Sequence, residues 1–450
     1  MFDTVLVANR GEIARRVVRT CQRLGVKAVT VHSEADAGAL HVVESDESVL
    51  LGGSAPTASY LDQLKVIEAA RQTGAQAVHP GYGFLAESAE FAQAVLDAGL
   101  VWIGPPPDAI DRMGDKINAR NLMAAAGVPV AAGTTEPLSD VEAAVAAAAE
   151  IGYPVMVKAS AGGGGIGMGV AHDEAGLRSS FETARTRAER FFGSPAILLE
   201  RYLEKARHVE VQVLGLADGR VVTLGERDCS VQRRHQKVAE ETPSPGVTPD
   251  LRARMLAAAV RAGEAVGYRN AGTVECLVSG DEFVFLEMNT RLQVEHPVTE
   301  LVHGVDLVEQ QLLIAAGEPP SYDTDVQSTG HALELRVYAE DPVRFLPGPG
   351  TITRWEEPTG DGVRVDAGYR EGDTVTTFYD PLLAKLAVWG SDRAEAIDRA
   401  RQAVAAFHVE GPKVNLPFFT ELLANDEFVS GDYDTGLVGR MRKPKKGATA

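Results

Sequence analysis

The sequence predicts an α/β fold at its N-terminal end that gives way to α+β beyond Arg336. Apolar and amphipathic runs alternate from residue 4 to residue 79, the pattern of βαβ units on a parallel sheet. Past Arg336, short strands, the turn Leu346-Pro347-Gly348-Pro349-Gly350 and a helix near 393–407 replace that alternation. The length of 450 residues allows about three domains on the usual prior.

In chain order, residues 4–8 form a short apolar strand, 13–24 a helix stopped by Gly25, and 27–32 a second strand. The turn Asn9-Arg10-Gly11-Glu12 holds a single glycine, so the dinucleotide-binding fingerprint is absent. A helix over 60–73 and a strand over 75–79 lead into Pro80-Gly81-Tyr82-Gly83-Phe84. Open α/β sheets place ligands at such strand ends, and an ordinary turn explains the loop equally well. Gly104-Pro105-Pro106-Pro107 is a strong break, with a domain boundary expected near residue 114. Ser139 with Glu142 makes a capping box for an Ala-rich helix that Gly152 stops. A strand over 155–158 then runs into a glycine-rich stretch over 159–167. Thr248-Pro249-Asp250 starts a helix ending at Gly267. A hairpin follows from Thr273 to Asn289, turning around Ser279-Gly280-Asp281. No internal repeat or low-complexity segment is visible.

Composition narrows the function classes. With 45% hydrophobic and 24% charged residues the chain is an ordinary globular protein. No apolar run of about 18 residues occurs, so a membrane-spanning helix is not expected. The start Met1-Phe2-Asp3 lacks the basic region of a secretory signal. Three widely spaced cysteines form neither a disulfide framework nor a zinc motif, and a reducing cytoplasm is expected. The net charge of −19 disfavours nucleic acid and anionic membranes as partners. Positive charge for an anionic substrate must then be local, and Gln232-Arg233-Arg234-His235-Gln236-Lys237 supplies it. The basic tail over 440–446 reads as a solvated chain end.

The chemistry concentrates in Glu287-Met288-Asn289-Thr290-Arg291-Leu292-Gln293-Val294-Glu295-His296-Pro297. Odd positions are almost all charged or amide, so an extended strand would line one face with them. That mixture suits a divalent cation at one end and a small anion at the other. Glu275 joins Glu287 on the same face if the hairpin loop holds an odd number of residues, and lies opposite if it holds two. Facing carboxylates destabilise a strand pair unless a cation such as Mg²⁺ lies between them. Asn289 stands one pleat further on. An arginine such as Arg291 suits a planar oxyanion like bicarbonate, and Glu295 beside it could accept a proton; a plain surface ion pair is the alternative. His296 before Pro297 looks like strand termination. Glycines over 162–165 let backbone N–H groups approach phosphates. Lys158 and Lys116 offer cations, although no Walker motif is present.

Seven stretches together resemble the biotin carboxylase component of biotin-dependent acyl-CoA carboxylases. They are NRGEIA from Asn9, HPGYGFL from His79, MGDK from Met113 and KASAGGGGIGM from Lys158. ERDCSVQRRHQK from Glu226, EMNTRLQVEHPVTE from Glu287 and AEDP from Ala339 complete the set. The resemblance implies a Rossmann-like N-terminal domain over 1–114 and an ATP-grasp domain over 115–330 with a mobile glycine-loop lid at about 131–203. It implies an α+β C-terminal domain over 331–445. Lys116, Lys158 and the glycines Gly162, Gly163, Gly164 and Gly165 would hold ATP phosphates. Glu200, Leu203, His208, Gln232 and His235 would surround adenine and ribose. Glu275 and Glu287, with Asn289, would carry Mg²⁺ or Mn²⁺. Lys237, Arg291, Gln293 and Val294 would bind bicarbonate, with Glu295 as base. Arg336 would stabilise the biotin enolate, with Tyr82 near the biotin ring.

The implied reaction is ATP-dependent carboxylation of biotin through carboxyphosphate, in a cytoplasmic homodimer. No Met-Lys-Met biotin-attachment sequence occurs, so a separate biotin carboxyl carrier protein and a carboxyltransferase subunit are expected partners. The family's glycine loop usually has a basic residue where this chain has Ile166, and often another where it has Gly169. Two other readings are another ATP-grasp carboxylate ligase and a non-catalytic nucleotide-binding scaffold subunit.

Overall fold

The computed structural model describes residues 1–138, 140–159, 168–192 and 194–443. A five-stranded parallel sheet opens the chain, in the order Glu47–Gly52, Lys27–Ser33, Thr4–Val7, Ala77–His79, Val101–Trp102. The amphipathic helix Gly11–Arg23 buries Ile13, Ala14, Val17 and Val18 against it. The strand order reverses between Thr4–Val7 and Ala77–His79, the crevice where such sheets hold ligands. Asn9 leaves the first of these strands and donates to Pro80 O (2.7 Å) and Tyr82 O (2.8 Å). Gly81, at φ +63°, lets the loop pass over Asn9, since a Cβ there would meet Asn9 Nδ2 at 2.9 Å. The helix expected from residue 60 starts only at Gln63, capped by Asp62. Tyr60 is held out of it by burial and by its hydroxyl, which donates to Asp36 (2.6 Å).

A small antiparallel sheet follows, Gly169–Ala171, Val155–Ala159 and Ile197–Arg201, covered by helices Val141–Ile151 and Glu174–Phe192. The expected capping box is not what starts the first of these helices. Asp140 is the N-cap and accepts from Ala143 N (2.9 Å), one position later than predicted. With the first helical residue at Val141, Glu142 cannot reach back to the cap and pairs with Arg178 at 2.6 Å instead. Ser139, Gly162, Gly163, Gly164, Gly165 and Ile166 lie outside the described residues.

The third sheet is antiparallel and eight-stranded. Its order is Glu282–Asn289, Asn270–Ser279, Arg207–Gly215, Val221–Arg233, Gln236–Thr242, His331–Tyr338, Leu382–Gly390, Val363–Ala367. Helix Pro249–Ala265, capped by Thr248, packs Leu251, Met255, Ala258 and Ala262 on its first half. Helices Arg393–Ala406 and Leu416–Leu423 pack on the second half. The sheet continues across residue 330, because Gln236–Thr242 pairs with His331–Tyr338 over four residues.

Candidate functional site

The hairpin Asn270–Ser279/Glu282–Asn289 sets the cation end of the site. Its loop is the two-residue Gly280-Asp281, with Gly280 at φ +60°, and a regular ladder from there would place Glu275 opposite Leu286. A β-bulge between Glu275 and Cys276 adds one residue on the second strand, so Glu275 pairs directly with Glu287. The two carboxylates share a face although the loop is even. Glu287 stands at the rim with Lys116 Nζ 3.8 Å away. Lys116, Lys158, Glu200, Phe285 and Glu287 line one cleft between the small sheet and the large one. Lys158 reaches Glu200 across the small sheet. Leu203 lies on the connection from Ile197–Arg201 to the next strand. Glu275 and Glu287 offer carboxylate oxygens, which fit a hard cation such as Mg²⁺ rather than zinc, while Asn289 turns its amide nitrogen to Glu275 (2.7 Å) and its oxygen to Arg291 (3.3 Å).

The anion end is built around Lys237 on the strand Gln236–Thr242. Its ammonium donates to Glu210 (2.6 Å), Glu275 (2.8 Å), Gln293 (3.0 Å) and Glu295 (2.7 Å). Burial disfavours this charge, but the three carboxylates outweigh it and raise the lysine well above its usual range. Glu295 is 1% exposed and also accepts from Arg336 (3.0 Å), which lies 2.6 Å from Glu240. Burial would push the Glu295 carboxyl up; Lys237, Arg336 and Arg227 overcome it and hold the group well below the carboxylate range. Glu275 is held down in the same way, burial being outweighed by Lys237 and His208. His208 Nε2 lies 2.7 Å from Glu275, and Gln232 bonds the other ring nitrogen at 2.7 Å.

The expected extended face from Glu287 to Glu295 is corrected by the structure. The strand ends at Asn289, and residues 293–295 turn into the helix His296–His303 with Pro297 in its first turn. Proline there suits a helix start and cannot continue a ladder. His296 is therefore the first helical residue, not a strand terminator, and its Nδ1 donates to Gln293 O (2.8 Å). Arg291 does not lie beside Glu295 but bonds Glu87 (3.0 Å) and Asn289 Oδ1 (3.3 Å). Gln293 and Glu295 still converge, on Lys237. Tyr82 sits in the loop at the end of the parallel sheet, its carbonyl held by Asn9. His235 is exposed at the tip of the hairpin joining Val221–Arg233 to Gln236–Thr242, with φ +69°. Val294 contributes its carbonyl to Lys385 (2.9 Å).

Sequence reasoning missed Glu210, Arg227 and Glu240. Arg227 is fully buried and bonds Glu210 (2.6 Å), Gln212 (2.7 Å), Thr299 (2.9 Å) and Thr273 (3.1 Å). A signal existed: His208, Glu210 and Gln212 alternate with Val209, Val211 and Val213, as Glu226, Asp228, Ser230 and Gln232 do on the neighbouring strand.

Comparison with known proteins agrees with this geometry. Family models match over 1–110 (biotin carboxylase, N-terminal domain), 115–321 (carbamoyl-phosphate synthase L chain, ATP binding domain) and 334–440 (biotin carboxylase C-terminal domain). The chain is 50% identical over 449 residues to a biotin carboxylase of Halalkalibacterium halodurans, covering 99% of each. It is 52% identical over 440 residues to biotin carboxylase 2 of Bacillus subtilis, covering 97% of this chain and 99% of that one. A biotin carboxylase β,γ-ATP complex from Campylobacter jejuni superposes with TM-score 0.94 at 41% identity, covering 98% and 99% of the two chains. The biotin carboxylase domain dimer of Hydrogenobacter thermophilus 2-oxoglutarate carboxylase, solved with MgADP, ADP and bicarbonate, gives 0.93 at 43%, covering 98% of each. An α/β sheet, an ATP-grasp core and an α+β end, matched along almost the whole chain, place it in the biotin carboxylase family.

Proposed function

We propose that this chain uses ATP and bicarbonate to carboxylate biotin presented by a separate carrier protein, the first half-reaction of an acyl-CoA carboxylase. The observation that carries this reading is Glu295, buried between Lys237 at 2.7 Å and Arg336 at 3.0 Å. A carboxylate clamped by two cations holds a place that a small anion can share. Bicarbonate entering there draws on Lys237 and Gln293, recruits Arg291 from its bonds to Glu87 and Asn289, and loosens the grip that keeps Glu295 acidic. Glu295 then takes the bicarbonate proton, and the bicarbonate oxygen attacks the γ-phosphorus of ATP, releasing ADP. The carboxyphosphate breaks to CO₂ and phosphate, the phosphate takes the ureido proton of biotin, and the ureido nitrogen attacks CO₂. Arg336 neutralises the enolate oxygen during that last step, with Tyr82 lying near the ring.

Phosphoryl transfer is mainly positioning and charge neutralisation, which suits a cleft lined by Lys116, Lys158 and Glu287. The proposed nucleotide contacts further in are Glu200, Leu203, His208, Gln232 and His235. A magnesium or manganese ion held by Glu275, Glu287 and Asn289 would shield the phosphate oxygens. Further parts of the reading are a homodimer, a carboxyltransferase subunit as partner, cytoplasmic location and domain limits of 1–114, 115–330 and 331–445. The test is biotin-dependent ATP cleavage by this chain with bicarbonate and free biotin. Glu295→Gln is expected to lower kcat by about 10²-fold or more, with MgADP affinity retained. Near-wild-type turnover in that variant sinks the assignment.

A further inference from the structure

We propose that Lys385 and Glu12 form a buried charge pair that positions the turn over 293–295 through the main chain of Val294. The pair does not touch substrate, and the proposal rests on assigning that turn to bicarbonate. Lys385 lies on the strand Leu382–Gly390 and has 0% of its surface exposed. Lysine is almost never fully buried without a partner. Here Nζ donates to Val294 O (2.9 Å), lies 3.2 Å from Glu12 Oε2 and 3.9 Å from Asp366 Oδ2. Asp366 is already bidentate with Arg364, at 3.0 and 2.7 Å, so Glu12 is the nearer counter-charge. Both Glu12 oxygens are buried and take no hydrogen bond. Balancing the Lys385 charge is thus the role its surroundings leave it, shared with the buried Glu334 on the adjacent strand, which Lys385 also pulls down against burial.

The turn needs such a device. The ladder ends at Asn289 and the helix begins at His296, so no sheet partner fixes the peptides between them. Side chains do it instead: Glu87 accepts from Thr290 N, Arg291 donates to Leu292 O, His296 Nδ1 donates to Gln293 O, and Lys385 donates to Val294 O. The peptide group is planar, so pinning the Val294 oxygen sets the plane from which Glu295 departs. Glu12 belongs to the helix Gly11–Arg23 of the parallel sheet, Val294 to the turn after the hairpin, and Lys385 to the C-terminal part of the chain. Three distant stretches thereby set one peptide. Lys385 and Glu12 are positioning residues.

The test uses the full chain carrying both Glu12→Gln and Lys385→Met, since removing both charges together leaves neither buried alone. Initial rates with free biotin are measured while bicarbonate and ATP are varied separately, and MgADP affinity is measured by calorimetry. A lost charged hydrogen bond predicts a rise of about tenfold or more in bicarbonate KM, with ATP KM and MgADP affinity within about twofold of wild type. A bicarbonate KM within about twofold of wild type, or equal rises in both KM values, overturns the proposal. Should the double variant not fold, Glu12→Gln alone is expected to raise bicarbonate KM about threefold without moving ATP KM, and the same two outcomes overturn it. Glu295→Gln assayed alongside separates the two ideas. Near-wild-type turnover there overturns the bicarbonate assignment and this proposal together. An inactive Glu295→Gln with an unmoved bicarbonate KM in the pair variant overturns this proposal alone.

Discussion

Lys237 has three ammonium protons and four oxygen acceptors within 3.0 Å. One acceptor is always under-served, so the cluster can be re-sorted when another anion arrives. Glu241, the next-but-three residue on that strand, is built differently: His331 (2.6 Å), Arg393 (2.7 Å) and Tyr433 (2.6 Å) fully serve it. Burial would raise its carboxyl, but His331 and Arg393 bring it from 4.5 to about 2. A depressed carboxylate stabilises the fold above its unfolded pKa and loses that contribution as pH falls toward the folded value. Wild type should therefore exceed Glu241→Gln in stability at pH 7 by about 3 kcal/mol, at ~1.4 kcal/mol per pH unit. The difference should shrink between pH 4.5 and about 2, as denaturant melts at several pH values would reveal. Lys237 was legible in the basic run over 232–237, Glu275 through the hairpin that pairs it with the strand of Glu287, and Glu295 in the alternating stretch from Glu287. Glu210 was passed over although it alternates with valines, because the same pattern describes a half-exposed strand and only the fold buries every residue of this one.

At the scale of elements, the hairpin decides the cation end. A two-residue loop alone sets Glu275 and Glu287 on opposite faces, and the bulge reverses that parity. Glu287→Gln removes one carboxylate of the facing pair and leaves the bulge in place. The expected result is a folded chain whose MgADP affinity falls about tenfold while its metal-free ADP affinity changes little, measured by calorimetry with and without EDTA. Equal losses in both titrations would show that the carboxylate pair is not a metal site. Loop length parity could be posed from sequence, whereas the bulge could not. It depends on what the edge strand meets outside the hairpin, where Phe285 N, next to the bulged Leu286, donates to Pro129 O (2.7 Å). The turn after Asn289 was missed for a related reason: alternation of polar residues runs on to Glu295, six residues past the last strand residue, up to the helix that the buried His296 and Pro297 begin.

Over the whole molecule, one eight-stranded sheet carries both the ATP-grasp half and the C-terminal half. Residue 330 looks like a boundary in sequence, yet the backbone of Gln236–Thr242 depends on His331–Tyr338 for its second neighbour. A chain cut to 1–330 would leave that strand as an unpaired edge and strip Val238 and Ala239 of their core partners Leu333, Leu335 and Val337, the arrangement that invites aggregation. It would also leave Glu295 and Glu240 without Arg336. The truncated chain should be insoluble or elute as aggregates in size-exclusion chromatography; a monodisperse, MgADP-binding fragment would contradict this account.

Residue order alone identified the α/β start, the glycine-rich stretch, the hairpin and most of the charged residues that carry the chemistry. Those signals are local: side-chain period, breakers at turns, and charge that an ordinary core does not tolerate. Which charges meet was decided by tertiary structure. Lys237, Glu210, Glu275 and Glu295 lie on four different segments, and the fully buried Lys385 meets Glu12 from the other end of the chain. Contacts between segments so distant in sequence depend on sheet order and register, which no local pattern encodes.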